Sequence, residues 1–196
     1  MVTETEPGGH DDIAVWDDSR VDVRISAGTE LDELAVRNML VAYLNELAAW
    51  DPGLVVNDVG LPVWKDFGLP GPRTGPEAAR HNWWIRDDCE RLVIREGDSA
   101  VGFAIIASPP RHIHEPFDHE VVDFYVVPKA RRRGLGERTA RRILAERPGS
   151  WVLFTLAGNV SARDFWRRVL AELPVVGMEE RNGASEFRFR VRQTFA

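Results

Sequence analysis

The sequence predicts an α/β domain built on a mixed sheet, and three observations carry that prediction. Short apolar runs with the period of a strand are interleaved with stretches whose apolar residues recur every three to four positions. The most regular helical stripe, Ala162, Phe165, Trp166, Val169, Leu170 and Leu173, directly follows the strand-like run Ser150–Ala157. The chain then closes on two alternating segments around Asn182–Gly183, a strong hairpin signal.

Residues 1–20 are acidic, contain Gly and Pro and show no periodicity, so they read as a mobile leader ahead of one domain over 21–196. Val21–Ile25 alternates and gives a first strand. From Thr29 to Trp50, Val36, Leu40, Tyr43, Leu44 and Leu47 keep helical spacing. Thr29 with Asp32 and Glu33 supplies the start of that helix, and Asp51–Pro52–Gly53 its stop. Residues 51–80 are rich in Pro and Gly yet carry Trp64 and Phe67, which predicts a long loop that orders over an acceptor. Trp83–Trp84 is expected to pack beneath it.

Arg91–Glu96, Gly97–Asp98 and Val101–Ala107 read as a hairpin, and Glu120–Val127 as a strand ended by Pro128. Gly136–Arg147 is a helix with Ala140, Ile143 and Leu144 on one face, stopped by Pro148–Gly149. The helix after Ser150–Ala157 is expected to be capped by Ser161 and ended by Pro174. Val175–Glu180 and Glu186–Arg192 complete the hairpin.

Composition removes several classes. A single cysteine, Cys89, excludes an internal disulfide framework and a multi-cysteine zinc site. The N-terminus lacks the basic and apolar regions of a signal peptide, and no apolar run reaches the ~18–20 residues of a membrane span. A protein of the reducing cytoplasm is expected, without membrane partners. Acidic residues outnumber basic ones by 31 to 25, a formal charge of −6. Within that acidic chain, residues 129–147 hold Lys129 and seven arginines against only Glu137 and Glu146. Nucleic-acid binding needs a broad basic surface, which is missing. A compact basic spot suits a small, highly charged anion.

The spot coincides with Val126-Val-Pro-Lys-Ala-Arg131-Arg-Arg-Gly134-Leu-Gly136, which joins a strand to a helix. Glycines there let the backbone approach a ligand at a helix N-terminus, where unpaired N–H groups favour phosphate. Arg131, Arg132 and Arg133 add charge around the same point. A Walker loop would need Gly-Lys-Ser/Thr, which is absent. A dinucleotide loop would need a third glycine where Thr139 stands, and an acid further on where residues 155–157 are Thr, Leu and Ala.

The segment resembles the acyl-CoA loop of the GNAT superfamily of N-acyltransferases, Arg/Gln-x-x-Gly-x-Gly/Ala after a strand ending near Val-x-Pro. Here it reads Arg131-x-x-Gly134-x-Gly136 after Val126-x-Pro128. A second element of the superfamily, Asn-x-x-Ala opening an aromatic-bearing helix, matches Asn159-Val-Ser-Ala162 with Phe165 and Trp166. The resemblance implies a GNAT-like sheet whose two central strands splay apart, with flanking helices and a C-terminal hairpin. It implies acetyl-CoA or another acyl-CoA as co-substrate and no metal. Pantetheine would pair near Val126 and Val127, and pyrophosphate would sit on the N–H groups of Arg132, Arg133, Gly134, Leu135, Gly136 and Glu137. Asn159 would touch pantetheine, and Phe165 would lie near the CoA end.

Direct attack by an amine calls for a proton acceptor. Asp123, interrupting a Val-rich strand, is the first candidate, and Glu120, expected on the opposite strand face, the second. The superfamily's usual acid, a tyrosine, is replaced by Trp166, leaving only Tyr43 and Tyr125 in the chain. His112, His114 and His119 cluster in one loop and read as loop residues, an acceptor mouth or a base, in preference to a metal site. Acids around the acceptor side (Asp58, Asp66, Asp87, Asp88, Glu115, Asp118) favour a small, cationic amine. Two further readings stand beside this one: a donor carried on a carrier protein's phosphopantetheine, and a non-catalytic acyl-CoA sensor. The sequence is compatible with a monomer or a homodimer.

Overall fold

The computed structural model describes residues 23–67, 71–82, 88–183 and 185–192. The expected leader at 1–20 and the Trp83–Trp84 pair lie outside these residues. The strands are β1 (Val23–Ser26), β2 (Leu54–Val56), β3 (Pro62–Trp64), β4 (Glu90–Glu96), β5 (Ser99–Ala107), β6 (His119–Val126), β7 (Gly149–Phe154), β8 (Val175–Arg181) and β9 (Glu186–Val191). The helices are α1 (Glu30–Leu47), α2 (Gly75–His81), α3 (Leu135–Ala145) and α4 (Val160–Ala171). Seven strands form one sheet in the order β1-β4-β5-β6-β7-β9-β8, and β2 pairs with β3 alone. All neighbours in the large sheet are antiparallel except β6 and β7. The expected mixed sheet and C-terminal hairpin are present.

The sheet separates two apolar layers. On one face α1 buries Val36, Leu40 and Leu44 against Val93, Phe103, Ile105 and Tyr125. On the other, α3 (Ala140, Ile143, Leu144) and α4 (Trp166, Val169, Leu170) cover Ile106, Val121, Trp151, Leu153 and Phe187. Cys89 lies in the α1-side core. The start of α1 is the predicted one: Thr29 caps it and forms a capping box with Asp32. Asp32, itself buried, also accepts from Ser26 Oγ at 2.6 Å and from Arg95 at 2.8 Å. Burial acts to raise its carboxyl pKa, but these bonds and the cap outweigh it and hold the group far below the ordinary carboxylate range.

Residues 51–80 are not one irregular loop. They contain the β2–β3 hairpin and α2, with Leu54, Val63, Ala78 and Ala79 buried. Strands of three residues are too short to show alternation, so in the sequence their Pro and Gly punctuation outweighs it.

Candidate active site

The two central strands part. β6 and β7 pair only over His119–Val121 and Trp151–Leu153, and beyond Val121 the other half of β6 has no partner on that edge among the described strands. A cavity of about 420 Å³ opens beside this half, walled by the loop into α3, the start of α4 and the end of α1.

The loop wall follows from local chemistry. Pro128 cannot continue the β6 ladder and opens a single tight turn, Pro128–Ala130. Gly134, at φ 71°, then turns the chain into α3, and no capping side chain satisfies the first N–H groups of that helix. A Cβ on Gly136 would stand 3.4 Å from Phe165, 3.5 Å from Val126 and 3.8 Å from Phe124, so its hydrogen keeps open the passage between these side chains.

The three arginines have different tasks. Arg131 donates to the Val126 carbonyl at 2.7 Å, forms a two-pronged pair with Glu46 of α1 at 3.0 and 2.7 Å, and stacks over Tyr125. Arg133 reaches away to Glu96 on β4, at 2.8 and 2.7 Å. Arg132 lines the cavity, is exposed and has no side-chain partner among the described residues. Glu137, also on the lining, is held by Arg168 at 2.8 Å. Leu135 is in the core, and Val127 bonds through its N–H to Val101; their side chains do not line the cavity.

On the α4 wall the helix cap is Asn159 and not the expected Ser161. Its Oδ1 accepts from Ala162 N at 3.1 Å and from Ser161 Oγ at 3.0 Å. Asn159, Ala162, Phe165 and Trp166 all line the cavity. Phe165 stacks on Phe124, and Trp166 meets both edge-on while remaining 6 % exposed, so the indole is largely a packing residue. The α1 wall agrees with the expectation that the first helix contributes to the acceptor surface, and the structure adds which residues do so: Tyr43, Glu46 and Leu47, with Trp50 just beyond the helix end, face the cavity. Their i, i+3, i+4, i+7 spacing is the signal that could have found them. Tyr125 donates to Glu46 at 3.1 Å; burial and that carboxylate push its phenol up to about 12.

The carboxylates require a correction. Ile106 opposes Val121 and Ile105 opposes Asp123, so Val122 is an extra residue, a β-bulge. The bulge resets the alternation. Glu120 opposes Ala107 and Asp123 opposes Ile105, both in the α1-side core, so the two acids share a face instead of standing on opposite ones. Tyr125 of the cavity lies on the same face, two residues beyond Asp123. Asp123 is 6 % and Glu120 1 % exposed, and neither reaches the cavity lining itself.

Glu120 is fully engaged. Its Oε2 accepts the backbone N–H of Arg111 at 2.6 Å and of His112 at 3.1 Å, and its Oε1 lies 2.5 Å from His112 Nδ1. Burial raises the Glu120 pKa, but these bonds outweigh it and leave it below its ordinary value; the same contact raises that of His112. Loop 108–118 is also tied by Asp118 to Ser150 and by Glu115 to Arg188. His119 turns instead to Ser108, with Nδ1 at 2.7 Å from its hydroxyl oxygen. Among the described residues, no group of three or more His, Cys, Asp or Glu is placed to hold a metal ion, and no helix is long and apolar enough to cross a membrane.

Residues 63–171 match the model of the acetyltransferase (GNAT) family. Many solved structures match the chain, two of them as follows. An acetyltransferase from Thermus thermophilus is 17% identical, with 87% of this chain and 96% of that one covered at a TM-score of 0.51. A Corynebacterium glutamicum structure described as histone acetyltransferase HPA2 and related acetyltransferase is 15% identical, with 89% and 98% covered at a TM-score of 0.52. No curated protein matches the chain in sequence.

Proposed function

This chain belongs to the acetyltransferase (GNAT) family, and from that premise we propose that it transfers an acetyl group from acetyl-CoA to the primary amine of a small, cationic acceptor. The observation that supports this most is the cavity at the parting of β6 and β7, bounded by an uncapped helix N-terminus and by Arg132. A hydrogen at Gly136 leaves the passage a slender chain needs, so the residues present fit the co-substrate. When bound, acetyl-CoA supplies an activated thioester. The N–H groups from Arg132 to Glu137, with the Arg132 guanidinium, would hold its pyrophosphate. The free edge of β6 at Val126, with Asn159 and Phe165, would guide the pantetheine.

In this reading Asp123 and Glu120, the two candidate carboxylates, divide the work, with Glu120 as a positioning residue. Asp123, on the same face as Tyr125, attracts a cationic amine and offsets the positive charge its nitrogen gains during attack. Glu120, whose oxygens are occupied, acts through the loop it holds. A single cysteine suits a reducing cytoplasm. Incubation with acetyl-CoA and a panel of amines, read by mass, tests the reading: an acetylated amine supports it. Tight CoA binding without turnover would favour the sensor, which Trp166 in place of the usual tyrosine also allows.

A further inference from the structure

The geometry points to His112 as the base that takes the amine's proton, with Glu120 as the carboxylate that positions its ring. This rests on the N-acyltransferase reading and adds to it a residue on neither of the two sequence motifs. His112 sits on the loop between β5 and β6, and Glu120 reaches it from inside the sheet. The hydrogen bonds of the Glu120 carboxylate fix the Arg111–His112 turn and the His112 ring. A buried carboxylate is thus committed to the orientation of one imidazole.

A carboxylate that accepts from Nδ1–H selects one tautomer of the neutral ring and leaves the lone pair on Nε2. The His112 side chain is 46% exposed, against 1% for Glu120, so the histidine and not the carboxylate is open to a molecule from solvent; it stands outside the lining of the cavity, near enough to Asp123 to feel its charge. The charged groups that face it are Glu120 and Asp123 from β6 and Arg111 from its own loop, and Arg111 is itself paired with Asp88 ahead of β4. The hydrogen bond to Glu120, with the charges of Glu120 and Asp123, favours the imidazolium, while burial and Arg111 oppose it; the balance makes His112 more basic than an ordinary histidine.

The step balances without any further reactant. The amine's lone pair forms the C–N bond, the C–S pair departs on sulfur as thiolate, and the N–H proton passes to His112 Nε2. The imidazolium is matched in charge by Glu120 and releases its proton to solvent through its exposed edge.

Two measurements on the full chain test this. Without any CoA, the His112 ring followed by NMR is expected to titrate above the ordinary ~6.5, and Glu120→Gln is expected to bring the midpoint down. With acetyl-CoA and an accepted amine, His112→Gln keeps a donor for Glu120 and so keeps the loop in place, but offers no base. Its kcat should fall by ~10²–10⁴ with the KM for acetyl-CoA nearly unchanged. The ascending limb of the wild-type kcat profile should follow the NMR midpoint and move down with it in Glu120→Gln. His114→Ala serves as the control and should keep its rate. The inference is overturned if His112→Gln retains most of its activity, or if the ascending limb stays in place in Glu120→Gln. Absence of transfer by the wild type would overturn the acyltransferase reading itself, an outcome distinct from a working wild type with an equally active His112→Gln.

Discussion

Of the three consecutive arginines, only Arg132 should matter strongly for CoA affinity. Arg133 is committed to Glu96 and Arg131 to Glu46 and the Val126 carbonyl, whereas Arg132 lines the cavity without a side-chain partner among the described residues. A hydrogen bond to a charged group contributes about 1.5–3 kcal/mol, so Arg132→Ala should raise the Kd for CoA roughly ten- to a hundredfold. Arg133→Ala removes a charge whose partner lies elsewhere; its effect on CoA should stay below about threefold at physiological salt. Arg131→Ala should act on the protein more than on the ligand, losing about 0.5–1 kcal/mol of stability for a pair whose side chains are 40% and 44% exposed. Calorimetric titration of CoA at two salt concentrations reads all three, with Arg132→Ala also flattening the salt dependence. Equal losses in Arg132→Ala and Arg133→Ala, or none in Arg132→Ala, would refute the division of labour.

Gly136→Val should abolish CoA binding on a folded protein, because the added carbons start 3.4 Å from Phe165 and extend into the passage; calorimetry with a melting control reads it. Asp32→Ala should destabilise the fold by about 3 kcal/mol in denaturant titration, since it removes a buried partner of Arg95 and half of the capping box of α1 together. Because the folded state depresses the Asp32 pKa, its contribution is present above the unfolded value of about 4 and is lost as acid protonates it below that. Wild-type stability should therefore fall on acidification through that range, and Asp32→Ala should fall less. With the Tyr125 phenol pushed up to about 12 and Trp166 in the usual acid's place, kcat should show no descending limb assignable to Tyr125 below about pH 10.

The fold was largely legible because its signals are local. The capping residue Thr29, the stripe from Ala162 to Leu170 and the turn at Asn182–Gly183 each specify an element without help from the rest of the chain. The turn into α3 was legible for the same reason, since Gly134 adopts the left-handed conformation that glycine favours. What escaped depends on tertiary pairing. The bulge at Val122 exists only in the register between β5 and β6, so strand alternation alone puts Glu120 on the wrong face. The arginines look equivalent until α1 and β4 supply Glu46 and Glu96. His112 is one histidine among three in a polar loop, and only the reach of Glu120 from the sheet singles it out.

The central claim is tested most directly by incubating the protein with acetyl-CoA and a mixture of small amines and following both free thiol and product mass. The expected result is thiol release matched mole for mole by an amine heavier by one acetyl group, with cationic amines preferred and both signals lost in Gly136→Val. Thiol release without an acetylated amine, or CoA that fails to bind the folded wild-type protein, would contradict it.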